Sequence, residues 1–233
     1  MAKDVIVACD FASRDQVLTF LDSFPEGEKP FVKIGMELFY AEGPAIVREI
    51  KARGHKIFLD LKLHDIPNTV RKAMSVLSSL DVDIVNLHAA GTKAMMEAAI
   101  EGLTRPDGTR PLLIAVTQLT SVDSESMHSE LLIEGKLDEA VMHYAKNAAA
   151  SGLDGVVCSP LEAGKVKEVC GESFLTVTPG IRFADSAADD QKRITTPAKA
   201  RGLGSDYIVI GRPVTAAADP VAAYRKAVKE FLQ

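Results

Sequence analysis

Long apolar runs are missing from this chain. The first, Val5 to Cys9, stops at Asp10, and no later run approaches the ~18 residues a membrane span needs, so no span is expected and the protein should be cytoplasmic. Cysteine is scarce too. Cys9, Cys158 and Cys170 are odd in number and lack C-x-x-C spacing, and the first two sit in apolar runs, which predicts reduced structural thiols. Basic runs are also absent: with a formal charge of −5 and no interleaving of cations with aromatics, a nucleic-acid surface is not expected, and any anionic ligand has to be held locally. No low-complexity linker or close internal repeat divides the 233 residues, which are 47% hydrophobic and 25% charged. One globular domain over residues 1–233 is therefore expected.

What the chain does have is a regular alternation. Short β-rich runs recur at 5–10, 31–36, 56–62, 83–89, 112–119, 155–159, 174–180 and 207–211, and helix-patterned segments lie between them, such as "GPAIVREIKARG" with Pro44 near its start and Gly54 at its end. Alternating strands and helices imply a parallel sheet, and this many units in a chain of about 230 residues fit a closed (β/α)8 TIM barrel, for which ~250 residues is typical. An open doubly wound sheet is the alternative. Against it, neither G-x-G-x-x-G nor G-x-x-x-x-G-K-[ST] follows the first strand.

Barrel enzymes place their chemistry at the C-terminal ends of the strands. Those ends carry Asp10, Lys33, Asp60 with Lys62, His88, Thr120 with Ser121, Ser159, Arg182 and Arg212. In "IFLDLKLHDIPNTV" the alternation of strand side chains puts Asp60 and Lys62 on one face of an otherwise apolar strand, with Asp65 just beyond. A rim salt bridge would account for Asp10 or Lys33 alone. Two lysines and two aspartates converging ask for more: at ~4 Å and an effective dielectric near 20, each opposite-charge pair gains about 4 kcal/mol and each like-charge pair loses as much. Alternating signs would hold Lys62 charged. His64 and His88 read as hydrogen-bonded rim residues, no histidine and carboxylate spacing suggests a metal site, and no G-x-S-x-G marks a serine nucleophile.

Phosphate is suggested by "TPGIR" after the seventh strand and "IVIGRP" after the eighth, because barrels commonly bind phosphate on backbone N–H groups of these two loops. Gly180 and Gly211 would let the backbone approach, Arg212 would add a bidentate donor, and the long acidic connection 181–197 reads as a lid that brings Arg182 and Gln191 over the anion.

Taken together these residues resemble the orotidine 5'-phosphate decarboxylase family. The resemblance runs over nearly the whole chain, through "VACDFAS", "FVKIGMELFY", "FLDLKLHDIPNTV", "VTQLTS", "TVTPGIR", "DDQKRITTP" and "IVIGRPVT". It implies cofactor-free, metal-free decarboxylation of orotidine 5'-phosphate to UMP, with Lys62 as electrostatic stabiliser and proton donor to C6 and with Asp60 and Asp65 completing the charged array. It further implies Asp10, Lys33 and Thr69 near the ribose, Thr120 and Ser121 on the pyrimidine side, and Arg182, Gln191, Gly211 and Arg212 on the phosphate. Finally it implies a homodimer with shared sites, in which the turn holding Asp65, Ile66 and Thr69 serves the neighbouring subunit.

The nearest competing reading is a magnesium-dependent sugar-phosphate decarboxylase or hexulose-phosphate synthase, which shares D-x-K-x-x-D on a similar barrel. Those relatives carry a carboxylate where Lys33 stands. A Schiff-base aldolase fits less well, since a lysine held between aspartates stays protonated and imine formation needs the free amine.

Overall fold

A computed structural model describes residues 3–184 and 195–233. The elements run β1 (Asp4–Ala8), α1 (Arg14–Asp22), β2 (Phe31–Gly35), α2 (Met36–Glu42), α3 (Pro44–Ala52), β3 (Ile57–Leu63), α4 (Pro67–Ser78), β4 (Ile84–His88), α5 (Thr92–Leu103) and β5 (Leu112–Val116). They continue with α6 (Ser124–Ser129), α7 (Leu137–Ala150), β6 (Gly155–Val157), α8 (Ala163–Cys170), β7 (Leu175–Thr178), α9 (Pro197–Gly202), β8 (Tyr207–Ile210), α10 (Arg212–Thr215) and α11 (Pro220–Leu232). All neighbouring strands are parallel, and β8 pairs with β1, so the sheet closes on itself. The open-sheet alternative is thereby set aside. Among the described residues no helix is long and apolar enough to cross a membrane.

Two apolar layers follow from the two faces of each strand. Ile6, Ala8, Phe31, Phe58, Ile84 and Ile114 point inward and, with Val177 and Val209, fill the barrel. Residues of opposite parity, such as Val5, Val7, Ile57 and Leu59, face outward and pack under the helices. Each helix presents the matching stripe: Ile46, Val47 and Ile50 of α3, and Val70, Met74 and Leu77 of α4, recur at three- and four-residue steps. Burying a Phe58 or an Ile84 in this way contributes about 1.5–3 kcal/mol. Cys9 and Cys158 belong to the outer layer, where burial pushes the Cys9 thiol well above its ordinary pKa, while Cys170 is partly exposed.

At the N-terminal rim one device recurs. Asp83, Asp154 and Asp206 each stand just before an even-numbered strand and accept a backbone N–H near the start of the preceding odd one: Ile57 at 2.8 Å, Leu113 at 2.7 Å and Thr176 at 2.8 Å. Each carboxylate also holds a cation, respectively Lys51, Arg110 and Lys167. A buried strand end is thus satisfied and its charged acceptor neutralised.

β3 is not the even ladder that simple alternation predicts. Its partners on β4 pass from Val85 opposite Leu59 to Leu87 opposite Leu63, so β3 takes up extra residues there, and Lys62 sits at φ 51°. A non-glycine residue in this left-handed region costs about 1–3 kcal/mol and persists only where its surroundings hold it.

Candidate active site

The inward parity that buries Ile6, Phe31, Phe58 and Ile84 continues upward to Asp10, Lys33, Asp60 and Asn86. Where the apolar filling ends, a polar row begins. The Lys33 Nζ donates to Asp10 Oδ1 at 2.8 Å and stands 3.3 Å from Asp60 Oδ2. On the other side Asp60 Oδ1 accepts from Lys62 Nζ at 2.7 Å and from Asn86 Nδ2 at 2.6 Å. Charges therefore alternate in the order Asp10, Lys33, Asp60, Lys62. The middle pair is deep, with side chains 10% and 9% exposed, whereas Lys62 is 24% and Asp10 56% exposed. The deep pair anchors; the outer two are more open to solvent, and of the four Asp10 and Lys33 line a cavity.

Burial opposes the charge of Lys33, but Asp60 and then Asp10 outweigh it and hold the ammonium pKa above the usual lysine value. Burial likewise opposes the Asp60 carboxylate. Lys33 and Lys62, with the hydrogen bonds from Lys62 and Asn86, hold its pKa below the usual aspartate value. Both members are ionised at neutral pH, so desolvated charge is stored beside the cavity.

That cavity, about 410 Å³, is lined by Asp10 and Lys33 together with Gly180, Arg182, Gly211 and Arg212. Arg182 is buried and Arg212 is exposed on the first turn after Gly211. Gly180 has φ 80°, a conformation that favours glycine, and its carbonyl accepts the Thr195 N–H at 3.0 Å. Ile181 and Thr195 form a bridge, so the two ends of the long connection lie side by side. Gln191, within that connection, lies outside the described residues.

The remaining expected residues divide. Thr120 is buried and Ser121 exposed in the turn after β5. Asp65, Ile66 and Thr69 are exposed around the start of α4, and the Asp65 carboxylate accepts its neighbour Ile66's N–H at 2.7 Å. Among the described residues no hydrogen bond or ion pair joins Asp65 to the row within this chain. His64 and His88 lie against each other with tilted rings, centroids 5.7 Å apart.

Two residues of the site escaped sequence reasoning. Asn86, 2% exposed, completes the row, and Gly35 leaves the room in which Lys33 meets Asp10. Both stand at inward positions of their strands, Gly35 two residues after Lys33 and Asn86 two after Ile84, so extending the parity of the barrel filling along β2 and β4 would have found them.

A family model described as orotidine 5'-phosphate decarboxylase / HUMPS family matches residues 3–227. Orotidine 5'-phosphate decarboxylase of Bacillus cytotoxicus is 58% identical over 234 residues, covering 99% of this chain and 98% of its own. The Bacillus mycoides protein of the same name is 59% identical over 233 residues, covering 99% and 97%. The crystal structure of orotidine 5'-phosphate decarboxylase from Lactobacillus acidophilus matches with a TM-score of 0.89 at 42% identity, over 99% of this chain and 100% of that one. An uncharacterized conserved protein from Geobacillus kaustophilus, also solved by crystallography, gives 0.87 at 54% identity over 97% and 99%. With matches of this strength along its whole length, the chain belongs to the orotidine 5'-phosphate decarboxylase / HUMPS family.

Proposed function

We propose that this protein decarboxylates orotidine 5'-phosphate to UMP, the last step of de novo pyrimidine nucleotide synthesis, as a cytoplasmic single-domain enzyme with no nucleic-acid partner. One observation carries the reading: a hydrogen-bonded row of alternating charges whose Asp10 and Lys33 line one cavity with two arginines and two glycines. The row suits a reaction that develops negative charge on carbon, and the arginines and glycines suit a phosphate.

Breaking the bond between C6 and the carboxylate releases CO2 and leaves the electron pair on C6, in the ring plane and out of conjugation with the carbonyls. A fixed cation must supply the stabilisation. Lys62 Nζ, held by Asp60 and partly exposed, stabilises the pair and then gives C6 its proton, after which water reprotonates the amine. Asp60, close to the departing carboxylate, aims Lys62 and disfavours the bound ground state. Asp10 and Lys33 serve the ribose hydroxyls, Thr120 and Ser121 the pyrimidine, and Arg182, Gly211 and Arg212 the phosphate. No cofactor is needed. Binding energy from the non-reacting phosphate is then available to the step at C6.

The same reading makes the enzyme a homodimer with shared sites. Asp65 is exposed and accepts from its neighbour Ile66, and Ile66, an apolar side chain 67% exposed, is open to a second copy. Lys33 favours this branch of the family over the magnesium-dependent one, because those relatives carry a carboxylate at that position to help bind the metal, and here a cation paired with Asp10 and Asp60 stands there. The test is to follow orotidylate absorbance with purified protein in excess EDTA. Turnover should continue undiminished; loss of activity that magnesium restores would move the protein to the metal-dependent branch.

A further inference from the structure

Asn86 makes two hydrogen bonds that no other group of the row could make together. Its Oδ1 accepts the backbone N–H of Lys62 at 2.8 Å, and its Nδ2 donates to Asp60 Oδ1 at 2.6 Å. The orientation of the amide is determined by its partners: a backbone N–H can only donate and a carboxylate can only accept. The backbone bond falls where β3 departs from its ladder with β4, so the Asn86 side chain supplies the acceptor for Lys62 in its left-handed conformation. The second bond meets the same carboxylate oxygen that accepts from Lys62 Nζ. One buried amide thus grips the main chain of Lys62 and the counter-ion of its ammonium.

We propose that Asn86 is a positioning residue for proton donation, fixing Lys62 at both ends through its backbone and through Asp60. Its contribution rests on the reading of Lys62 as the donor to C6. Asn86 reaches across from a neighbouring strand that does not itself carry the donor, so it converts the register between β3 and β4 into the aim of an ammonium group. A donor misplaced by an ångström loses much of its effect on rate and little of its effect on ground-state binding.

Three variants decide the matter: Asn86→Ala, Asn86→Ser and Asn86→Asp, each compared with wild type in kcat and KM for orotidylate, affinity for UMP, and Tm. Wild-type turnover is the control on the functional reading, since without it the assignment of substrate fails whatever Asn86 does. Given that turnover, Asn86→Ala should lower kcat about 10- to 100-fold while KM and UMP affinity move less than about threefold. Asn86→Ser, able to keep one bond, should fall between.

Asn86→Asp supplies the readout that a merely structural residue would not move. The new carboxylate still accepts from Lys62 N–H but faces Asp60, with Lys62 and Lys33 beyond it, His88 on its own strand with His64 beside that, and the uncharged Ile114 across β5. Protonated, it can donate to Asp60 as the amide does. Its activity relative to wild type should therefore rise as the pH is lowered from about 8 to 5.5, because a carboxyl beside a carboxylate titrates above its usual range. A flat ratio, or Asn86→Ala with wild-type kcat, would overturn the proposal. If Asn86→Ala does not fold, the near-isosteric Asn86→Asp profile decides alone.

Discussion

A methyl group built on Gly35 would lie 2.9 Å from Oδ1 of Asp10, the oxygen that receives Lys33. It would lie 3.0 Å from Lys33 Nζ as well, so the absence of a side chain at position 35 is what lets this ion pair close over the end of β2. The backbone itself tolerates alanine there, with φ −90° and ψ −178°. Gly35→Ala should fold with Tm within a few degrees of wild type, since such a change at a permitted conformation is worth less than about 1 kcal/mol. Its kcat/KM for orotidylate should fall at least about tenfold, because the pair must shift. Wild-type kinetics in Gly35→Ala would show that the Asp10 and Lys33 contact is incidental.

Arg212→Ala removes a cation from the lining of the cavity that Asp10 and Lys33 share. Affinity for UMP, read by calorimetry, should drop about 10- to 100-fold, a charged hydrogen bond being worth roughly 1.5–3 kcal/mol. The nucleoside orotidine has no phosphate to lose, so its slow turnover should hardly change. Equal damage to both substrates would remove Arg212 from the phosphate site.

The proposed sharing of sites between subunits can be tested by complementation. Lys62→Ala and Asp65→Asn homodimers should each be nearly inactive, the first without its donor and the second without the partner's carboxylate. Mixed in equal amounts after reversible dissociation, they form hybrids in which one site is intact and the other carries both lesions. Random pairing would return about a quarter of wild-type activity, as a two-fold symmetric dimer requires. If mass spectrometry shows hybrids while activity stays at the parental level, Asp65 serves its own subunit.

Acid should weaken the fold before it reaches the carboxylates. Burial is the main cause that lowers the pKa of His55, beside Lys29 and Arg53, and of His88, which faces His64 and Lys62 with Asp60 opposing. Unfolded, each titrates near 6.5. The unfolded chain therefore takes up protons that the folded chain refuses, and the stability owed to neutral imidazoles is complete above that pH and lost as pH falls toward the folded pKa values. Tm should decline from pH 7.5 to 5.5, with a shallower slope in His88→Gln and in His55→Gln. A slope unchanged by both substitutions would rule these histidines out as its source.

Much of this was legible in the residues alone. Eight β-rich runs, with Pro44 and Gly54 bounding one intervening helix, announced the barrel, and Asp60 with Lys62 announced the site because period-two alternation extends an apolar strand into its rim. The strands ended sooner than their apolar runs, at Ala8 and Val116 for β1 and β5, since apolar residues past a strand end also pack against helices. Asn86 stayed hidden for a different reason. An amide inside "IVNLH" acquires meaning only through the register slip of β3, a property of two strands together. Gly35 is similar: its value lies in the rotamers of Lys33 and Asp10. The aspartates before β4, β6 and β8 look like loop acids until the barrel closes and brings each one to its neighbour's first amides.

Those three aspartates also imply a division of labour along the strand axis. At the N-terminal rim every one of them is discharged into backbone amides and a cation, which makes that end a set of local rivets. At the opposite rim the charges alternate in sign along one desolvated row that ends in a left-handed lysine, a configuration whose burial costs stability and which the proposed chemistry uses. Heat tolerance and turnover are consequently set at opposite poles of the same eight strands. A lineage, or an engineer, can tighten the lower rivets one at a time to adapt the protein to a hotter environment, and leave the upper pole as it is.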